Sequence, residues 1–365
     1  MAEFLKKLNF GFLHSFSQNG GFVALDIGSS SVKLVETAVE KSGYRVLNLG
    51  VAPLPPKAIQ NNMVADSSLV ADAIRKLIQE NKVSATQVIS AVPGRAVIMK
   101  KVQLPRQEDD ELEANVEFEA NNVIPENLQN INLDYQVLNY VAAGDKMEVL
   151  LVAVKKEIVN SYADVIVEAG LKPAIMDVDY FAMENMYEAN YTAESAGMVG
   201  LIHIGARYTS ITLLQNGLST FTGDLPIGGE EFTQLLKKEL NISDESAENL
   251  KLTGALGGKK TTDVKLMLQP MIEELTGEIR RTVTLYGSVG SEDGEGLKTI
   301  YLSGGSAKLP GLESMLQEKM GVPAILAEPF RGFTINRKID RSHLVETAPL
   351  FAVAAGLSIR RPGDK

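Results

Sequence analysis

The 365-residue chain contains no cysteine, no tryptophan and only three histidines. The first absence excludes disulfides, thiolate nucleophiles and cysteine-based zinc sites. His14, His203 and His343 lie too far apart in sequence to suggest a metal cluster. No segment approaches the ~20 consecutive apolar residues of a membrane span. Lys6, Lys7 and Asn9 interrupt any apolar stretch of signal-peptide type, so a cytoplasmic protein is expected. The formal net charge of −10 argues against non-specific binding to nucleic acid. The hydrophobic fraction of 45% with 22% charged residues is that of a globular protein, and the length allows two domains with separate cores.

Three glycine-bearing stretches stand out. In the first, an apolar strand ends in Asp26, turns through Gly28, Ser29, Ser30 and Ser31, and leaves through Lys33 as a second strand. The second repeats the pattern around Gly205, Ala206 and Thr209. The third runs from a strand through Ser303-Gly304-Gly305-Ser306-Ala307-Lys308 into a helix. Such turns suit phosphate: small residues expose successive backbone N–H groups to one point, and glycine lets the backbone come close. Ser and Thr add hydroxyl donors, Lys33 adds a cation, and Asp26 can hold a hydrated Mg²⁺ through one or two oxygens. Hairpin closure is the commoner use of any one of these glycines. All three in this order point to a nucleotide held between two domains.

Periodicity supplies the rest. Strands at 22–35 and 44–51 form a meander, and Ser67–Asn81 is an amphipathic helix with Leu69, Val70, Ala73, Ile74, Leu77 and Ile78 inward. A buried strand follows at Val88–Val92. Residues 93–173 read as a separate module: strand 96–103, acidic helix 108–122, strands 132–140 and 147–154, helix 156–170. The acids Glu108–Glu111 open a helix, where the macrodipole favours them, so capping explains them better than metal binding. Gly228-Gly229-Glu230-Glu231-Phe232 leads into a helix through Leu240, and helices are expected over Asp244–Leu252 and from Asp263 to about Tyr286, with a kink or a new start at Pro270. Gly290–Gly296 reads as a flexible acidic loop, and Pro349–Leu357 as a terminal helix. Phe4, Leu5, Leu8 and Phe12 would share a helix face of membrane-surface type, though Gly11 favours an ordinary mobile terminus.

In order, these pieces resemble the actin-like ATPase superfamily, which includes Hsp70, MreB and FtsA. Asp26-Ile27-Gly28-Ser29-Ser30-Ser31-Val32-Lys33 resembles its first phosphate motif, Ile204–Thr209 its second, and Leu302–Gly311 its adenosine motif. Ala247-Glu248-Asn249-Leu250-Lys251 is similar to the helix that contacts ribose and adenine in FtsA and MreB. Glu248 and Lys251 share a helix face at i,i+3, a spacing that equally suits a solvated ion pair. Within the superfamily the chain is most similar to the PilM family of type IV pilus assembly proteins. The GSSSVK turn, the inserted module, Lys172–Ala182, Leu225–Thr233 and Glu278–Arg281 carry that likeness.

The resemblance implies two ribonuclease-H-like domains flanking a nucleotide cleft, with an inserted α+β (SHS2) subdomain. It divides the chain into a tail (1–21), domain 1A (22–92, 174–197 and 347–360), subdomain 1C (93–173), domain 2A (198–229 and 298–346) and subdomain 2B (230–297). It implies ATP and Mg²⁺ as ligands, with Asp26 at the metal. The nucleotide would be held by Gly28, Ser29, Ser30, Ser31, Lys33, Gly205, Ala206, Thr209, Gly229, Glu248, Lys251, Gly304, Gly305 and Lys308. The implied role is a scaffold at the cytoplasmic face of the bacterial inner membrane. It would bind the cytoplasmic N-terminal peptide of PilN between domain 1A and the inserted module and connect to the motor ATPases. His203 stands where many relatives carry Asp at the second phosphate turn. A neutral imidazole serves a hard cation poorly, so slow or absent turnover is expected, and a hydrogen-bonded histidine is the simpler reading. An FtsA-like filament, a GspL-like secretion component and a small-molecule kinase remain as alternatives.

Overall fold

In the computed structural model the described residues are 21–41, 43–107, 109–141, 145–191, 197–256, 259–260, 263–287 and 296–364. The amino-terminal segment with His14, Glu108 and most of the Gly290–Gly296 loop lie outside them. The chain forms two compact units: Met1–Val39, Val46–Asn185 and Leu357–Lys365 make one, Glu40–Arg45 and Met186–Gly356 the other. By compactness the chain therefore changes unit after Val39, Arg45, Asn185 and Gly356. Among the described residues, no helix is long and apolar enough to cross a membrane.

The first unit begins with β1 (Phe22–Ile27), β2 (Ser31–Glu40) and β3 (Gly43–Pro53), followed by the small hairpin β4 (Ile59–Gln60) and β5 (Met63–Val64). Then come α1 (Ser67–Glu80) and β6 (Gln87–Val92). The inserted module is β7 (Val97–Pro105), α2 (Asp109–Val123), β8 (Ile131–Val141) and β9 (Lys146–Lys155). The chain returns through α3 (Lys156–Glu168), β10 (Lys172–Val178) and α4 (Asp179–Tyr191). Sheet neighbours run β10-β6-β1-β2-β3, with β1 antiparallel to β2 and parallel to β6, and β6 parallel to β10. Every residue of β6 is buried, as expected of a central parallel strand covered on both faces.

The helix α1 shows how local sequence sets this core. Val70, Ala71, Ile74 and Leu77 are buried, while Leu69 is 44% exposed, so the inward stripe is turned slightly from the expected one. The Asp66 carboxylate accepts from the Leu69 N–H at 3.2 Å and starts the helix. Asp66→Ala is expected to cost about 1 kcal/mol, the usual value of an N-cap, read as a shift of the denaturation midpoint at unchanged slope.

The module's sheet, ordered β7-β9-β8, packs Leu104, Met147, Val149, Leu151 and Ala153 against Leu112, Val116 and Ala120 of α2. Its exit helix α3 packs elsewhere. Ile158, Val159, Tyr162, Val165 and Ile166 join the core of the first sheet with α1. At the end of β10, Asp177 is ion-paired with Arg360 at 3.1 Å, both nearly inaccessible to solvent. Burial raises the Asp177 pKa against the opposing pull of Arg360 and the Val178 amide.

The second unit repeats the topology. Its strands are β11 (Met198–Ile204), β12 (Thr209–Gln215) and β13 (Leu218–Leu225). Next are α5 (Gly229–Leu240), α6 (Asp244–Thr253), the short pair β14 (Ala255–Leu256) and β15 (Lys259–Lys260), and α7 (Asp263–Tyr286). The unit closes with β16 (Leu297–Ser303), α8 (Leu312–Met320), β17 (Ala324–Leu326), α9 (Arg341–Thr347) and α10 (Ala352–Ser358). The sheet order β13-β12-β11-β16-β17 matches that of the first unit, with an antiparallel hairpin beside parallel strands. The helix α7 is continuous through Pro270, so no new helix starts there. Phe232, Leu236, Leu250, Leu268, Ile272 and Leu275 of α5–α7 fill the core beneath this sheet.

Candidate functional site

In the first unit the glycine-serine turn joins β1 to β2. Asp26 and Lys33 are cross-strand partners, and the Lys33 Nζ lies 3.2 Å from the Asp26 Oδ2. Both side chains are mostly buried, at 14% and 9% exposure. The Gly28 N–H donates to the Ser31 carbonyl at 3.1 Å, and the Leu54 N–H donates to the Ser30 carbonyl at 2.8 Å. A Cβ on Gly28 would lie 2.8 Å from the Lys33 ammonium. The turn therefore brings a carboxylate, an ammonium and the hydroxyls of Ser29, Ser30 and Ser31 onto one hairpin.

The carboxyl ends of the three parallel strands β1, β6 and β10 lie along one edge of that sheet. Asp179 follows β10 there and accepts from the Gly94 N–H at 2.7 Å, beyond the end of β6. Gly94 has no room for a side chain, because a Cβ would strike the ring of Tyr180. Tyr162 of α3 is fully buried, and among the described residues its hydroxyl has no hydrogen-bond partner. Burial, then the charges of Asp179 and Asp26, push its pKa well above the ordinary tyrosine range, so it stays protonated.

In the second unit four separated segments meet. The Gly205 N–H donates to the Tyr208 carbonyl at 2.9 Å and closes the turn. The first amides of α5 grip that turn: the Gly229 N–H donates to the Gly205 carbonyl at 2.9 Å, the Glu230 N–H to the Ala206 carbonyl at 2.7 Å. The Glu231 carboxylate, three residues after Gly228, accepts from the Gly228 N–H at 2.9 Å and caps the helix. Gly304 adopts φ +92°, and its missing Cβ is what permits contact with the Ile204 backbone. The Ser306 N–H then reaches the Ile204 carbonyl at 3.1 Å. A Cβ on Gly229 would collide with the Ser306 Oγ and lie 3.0 Å from the Lys251 Nζ.

Lys251 joins these segments. Its ammonium, 3% exposed, donates to the Gly229 carbonyl (3.1 Å), the Thr233 Oγ1 (3.0 Å) and the Glu248 Oε2 (2.7 Å). The Thr233 hydroxyl is itself 2.5 Å from the Glu248 Oε2 and 3.0 Å from the Gly229 carbonyl. The pair is thus not a solvated one: only Glu248, 47% exposed, faces water.

The predicted residues of this unit fall into two groups. Gly205, Ala206, Gly229, Glu248, Lys251, Gly304 and the exposed Gly305 belong to one network of neighbours. Thr209 and Lys308 have their polar atoms engaged otherwise: the Thr209 hydroxyl donates to the Ile227 carbonyl at 2.7 Å, and the Lys308 Nζ to the Glu346 carbonyl. His203 is half-buried, with its Nδ1 3.0 Å from the Ser303 Oγ. Sequence reasoning missed Thr233, Ser306, Asp179 and Tyr162. Thr233 could have been found, one helical turn after Gly229, but Tyr162 reads as one more core position of α3. Among the described residues, no group of three or more acidic or histidine side chains is placed to hold a metal.

A family model described as "Type IV pilus assembly protein PilM" matches residues 24–362. Cell division protein FtsA of Streptococcus pneumoniae is 24% identical over 365 residues, spanning 86% of this chain and 76% of its own. The solved "PilM-PilN type IV pilus biogenesis complex" is similar with a TM-score of 0.81 and 28% identity, covering 93% of this chain and 98% of that one. MreB5 of Spiroplasma citri, solved with AMPPNP, shares the fold at a TM-score of 0.52 and 13% identity, over 94% of this chain and 96% of its own. The fold is that of the actin-like ATPases.

Proposed function

Because the chain belongs to the PilM family of type IV pilus assembly proteins, we propose that it is an ATP-binding scaffold that holds the N-terminal peptide of PilN. The observation that carries the nucleotide reading is the meeting of the Gly205 turn, the start of α5, Glu248 with Lys251, and Gly304–Ser306 around glycines whose side chains would fill the space. The half-exposed Glu248 suits ribose hydroxyls and the small turns around it suit phosphates; in the first unit, Gly28–Ser31 and Lys33 form a turn of the same phosphate-binding kind. Mg²⁺ fits the donor set, since Asp26 offers a carboxylate to a hydrated ion. Lys33, now beside Asp26, would turn to the phosphates as the cation arrives. The bound ion would supply charge neutralisation to the phosphates, while the chain's own residues orient them.

The PilN reading rests on the family and on the similarity to the PilM-PilN complex. It makes the protein peripheral to the inner membrane through its partner, with contacts to motor ATPases as a further expectation. With His203 bonded to Ser303 in place of an aspartate, turnover should be slow. Calorimetry is expected to show Mg·ATP binding to the full chain, and steady-state phosphate release to stay near background. Brisk release abolished by Asp26→Ala would overturn the low-turnover reading, and absence of any binding would remove ATP from the account.

A further inference from the structure

Thr233 sits one helical turn into α5 and is 6% exposed. Its hydroxyl oxygen lies 2.5 Å from the Glu248 Oε2, 3.0 Å from the Lys251 Nζ and 3.0 Å from the Gly229 carbonyl. A hydroxyl has a single proton to donate. The Gly229 carbonyl already accepts from Lys251 at 3.1 Å. The carboxylate is the nearer acceptor and the charged one, so the proton goes to Glu248. The Thr233 oxygen in turn accepts from Lys251.

This arrangement holds one side of the carboxylate. The Thr233 hydroxyl and the Lys251 ammonium, the latter at 2.7 Å, both donate to Oε2. Among the described residues no hydrogen bond engages Oε1, and Glu248 is 47% exposed. One oxygen is fixed and the other is left for a donor from outside the chain. The holder is stiff, because threonine is branched at Cβ and its helix restricts χ1. It is also joined to the phosphate side of the site. Gly229, one turn earlier, donates its N–H to the Gly205 carbonyl at 2.9 Å.

We infer that Thr233 is a positioning residue that makes this site selective for nucleotides carrying ribose hydroxyls. The inference rests on the nucleotide reading above and adds to it the group that sets Glu248 in place. A loose glutamate would lose rotamer freedom when ligand bound, whereas Thr233 restricts it beforehand. Oε1 then accepts from the sugar hydroxyls in a charge-assisted bond, and a sugar without them leaves that acceptor unmatched. Water can reach the half-exposed Glu248 and partly replace the missing donor. The discrimination is therefore about tenfold, far below that of a fully buried polar site.

Calorimetry of the full chain with Mg·ATP and with the Mg²⁺ complex of 2′,3′-dideoxy-ATP tests this. Wild type is expected to bind ATP at least about tenfold more tightly than the dideoxy analogue. Thr233→Val keeps the branched shape and removes the hydroxyl. Its affinity for ATP should fall about fivefold while its affinity for the analogue holds, so the preference shrinks to about twofold. Thr233→Ser returns the hydroxyl and should keep most of the wild-type preference. A merely structural role gives another pattern, with Thr233→Val weakening both nucleotides equally. That result overturns the inference, as does an undiminished preference in Thr233→Val or its loss in Thr233→Ser. The wild-type comparison needs no variant. Equal affinity for the two nucleotides overturns the inference and leaves the nucleotide reading standing, whereas binding of neither ends both.

Discussion

Gly304→Ala is expected to lower stability by about 2–5 kcal/mol and to abolish nucleotide binding. Two costs add at this residue. Its φ of +92° lies in the left-handed region, where an L side chain costs roughly 1–2 kcal/mol. The new Cβ would also run into the backbone of Ile204, which cannot rotate away as a side chain could. Forced overpacking of that kind typically adds about 1–3 kcal/mol. Relief would require β11 and the Gly304–Ser306 turn to separate, breaking the Ser306–Ile204 hydrogen bond and the Gly304 N–H bond to Pro349. For a unit of this size the melting temperature should fall on the order of 10 °C. Gly305→Ala is the control, since a Cβ there meets only Leu350 at 3.4 Å. Equal melting temperatures for wild type and Gly304→Ala would contradict the described turn.

Lys251→Met should separate architecture from ligand contact. Methionine preserves the length and apolar volume of the side chain while removing three hydrogen bonds from a buried ammonium. Its partner Glu248 is half-exposed and can rehydrate, so the loss should be about 2 kcal/mol, below that of a fully buried pair. Nucleotide affinity should fall at least about tenfold, or 1.4 kcal/mol, because Glu248 and the Gly229 carbonyl lose their common anchor. Glu248→Gln should behave differently. Stability should change little, while loss of a charge-assisted bond to ribose should weaken binding by about 1.5–3 kcal/mol. Two titrations with two unfolding curves check both statements. A Lys251→Met protein as stable as wild type would show that the ammonium does not organise this corner.

Much of this architecture was legible in the sequence, for identifiable reasons. The strands ending at Asp26 and Ile204 are apolar runs closed by Gly-Ser or Gly-Ala turns, and the structure has hairpins at both. The helix boundaries of α1, α5 and α6 follow caps at Asp66, Gly228 and Ser243. Pattern failed where tertiary contacts decide. Leu69 fits the apolar stripe of α1 but lies beside solvent, and Ala71, off that stripe, is buried. The long helix expected over Asp263–Tyr286 is present, and of the two effects expected of Pro270 the new start is absent, since a proline early in a long, well-packed helix need not end it. The sequence treats Glu248 and Lys251 as symmetric partners, yet only folding buries one of them. β13 went unnoticed because Leu218–Leu225 alternates Thr, Ser and Gly with few strong strand formers. The shared strand order of the two units left no visible repeat, because topology is preserved here with almost no common residues outside the glycine turns.

Hydrogen exchange of the full chain with and without Mg·ATP addresses the nucleotide assignment most directly. The account predicts that peptides covering Gly205–Thr209 and Gly304–Lys308, whose turns meet in the second unit, slow together at one ligand concentration, while α9 keeps its rate. Protection confined to a single turn, or none at concentrations where calorimetry reports saturation, would contradict it.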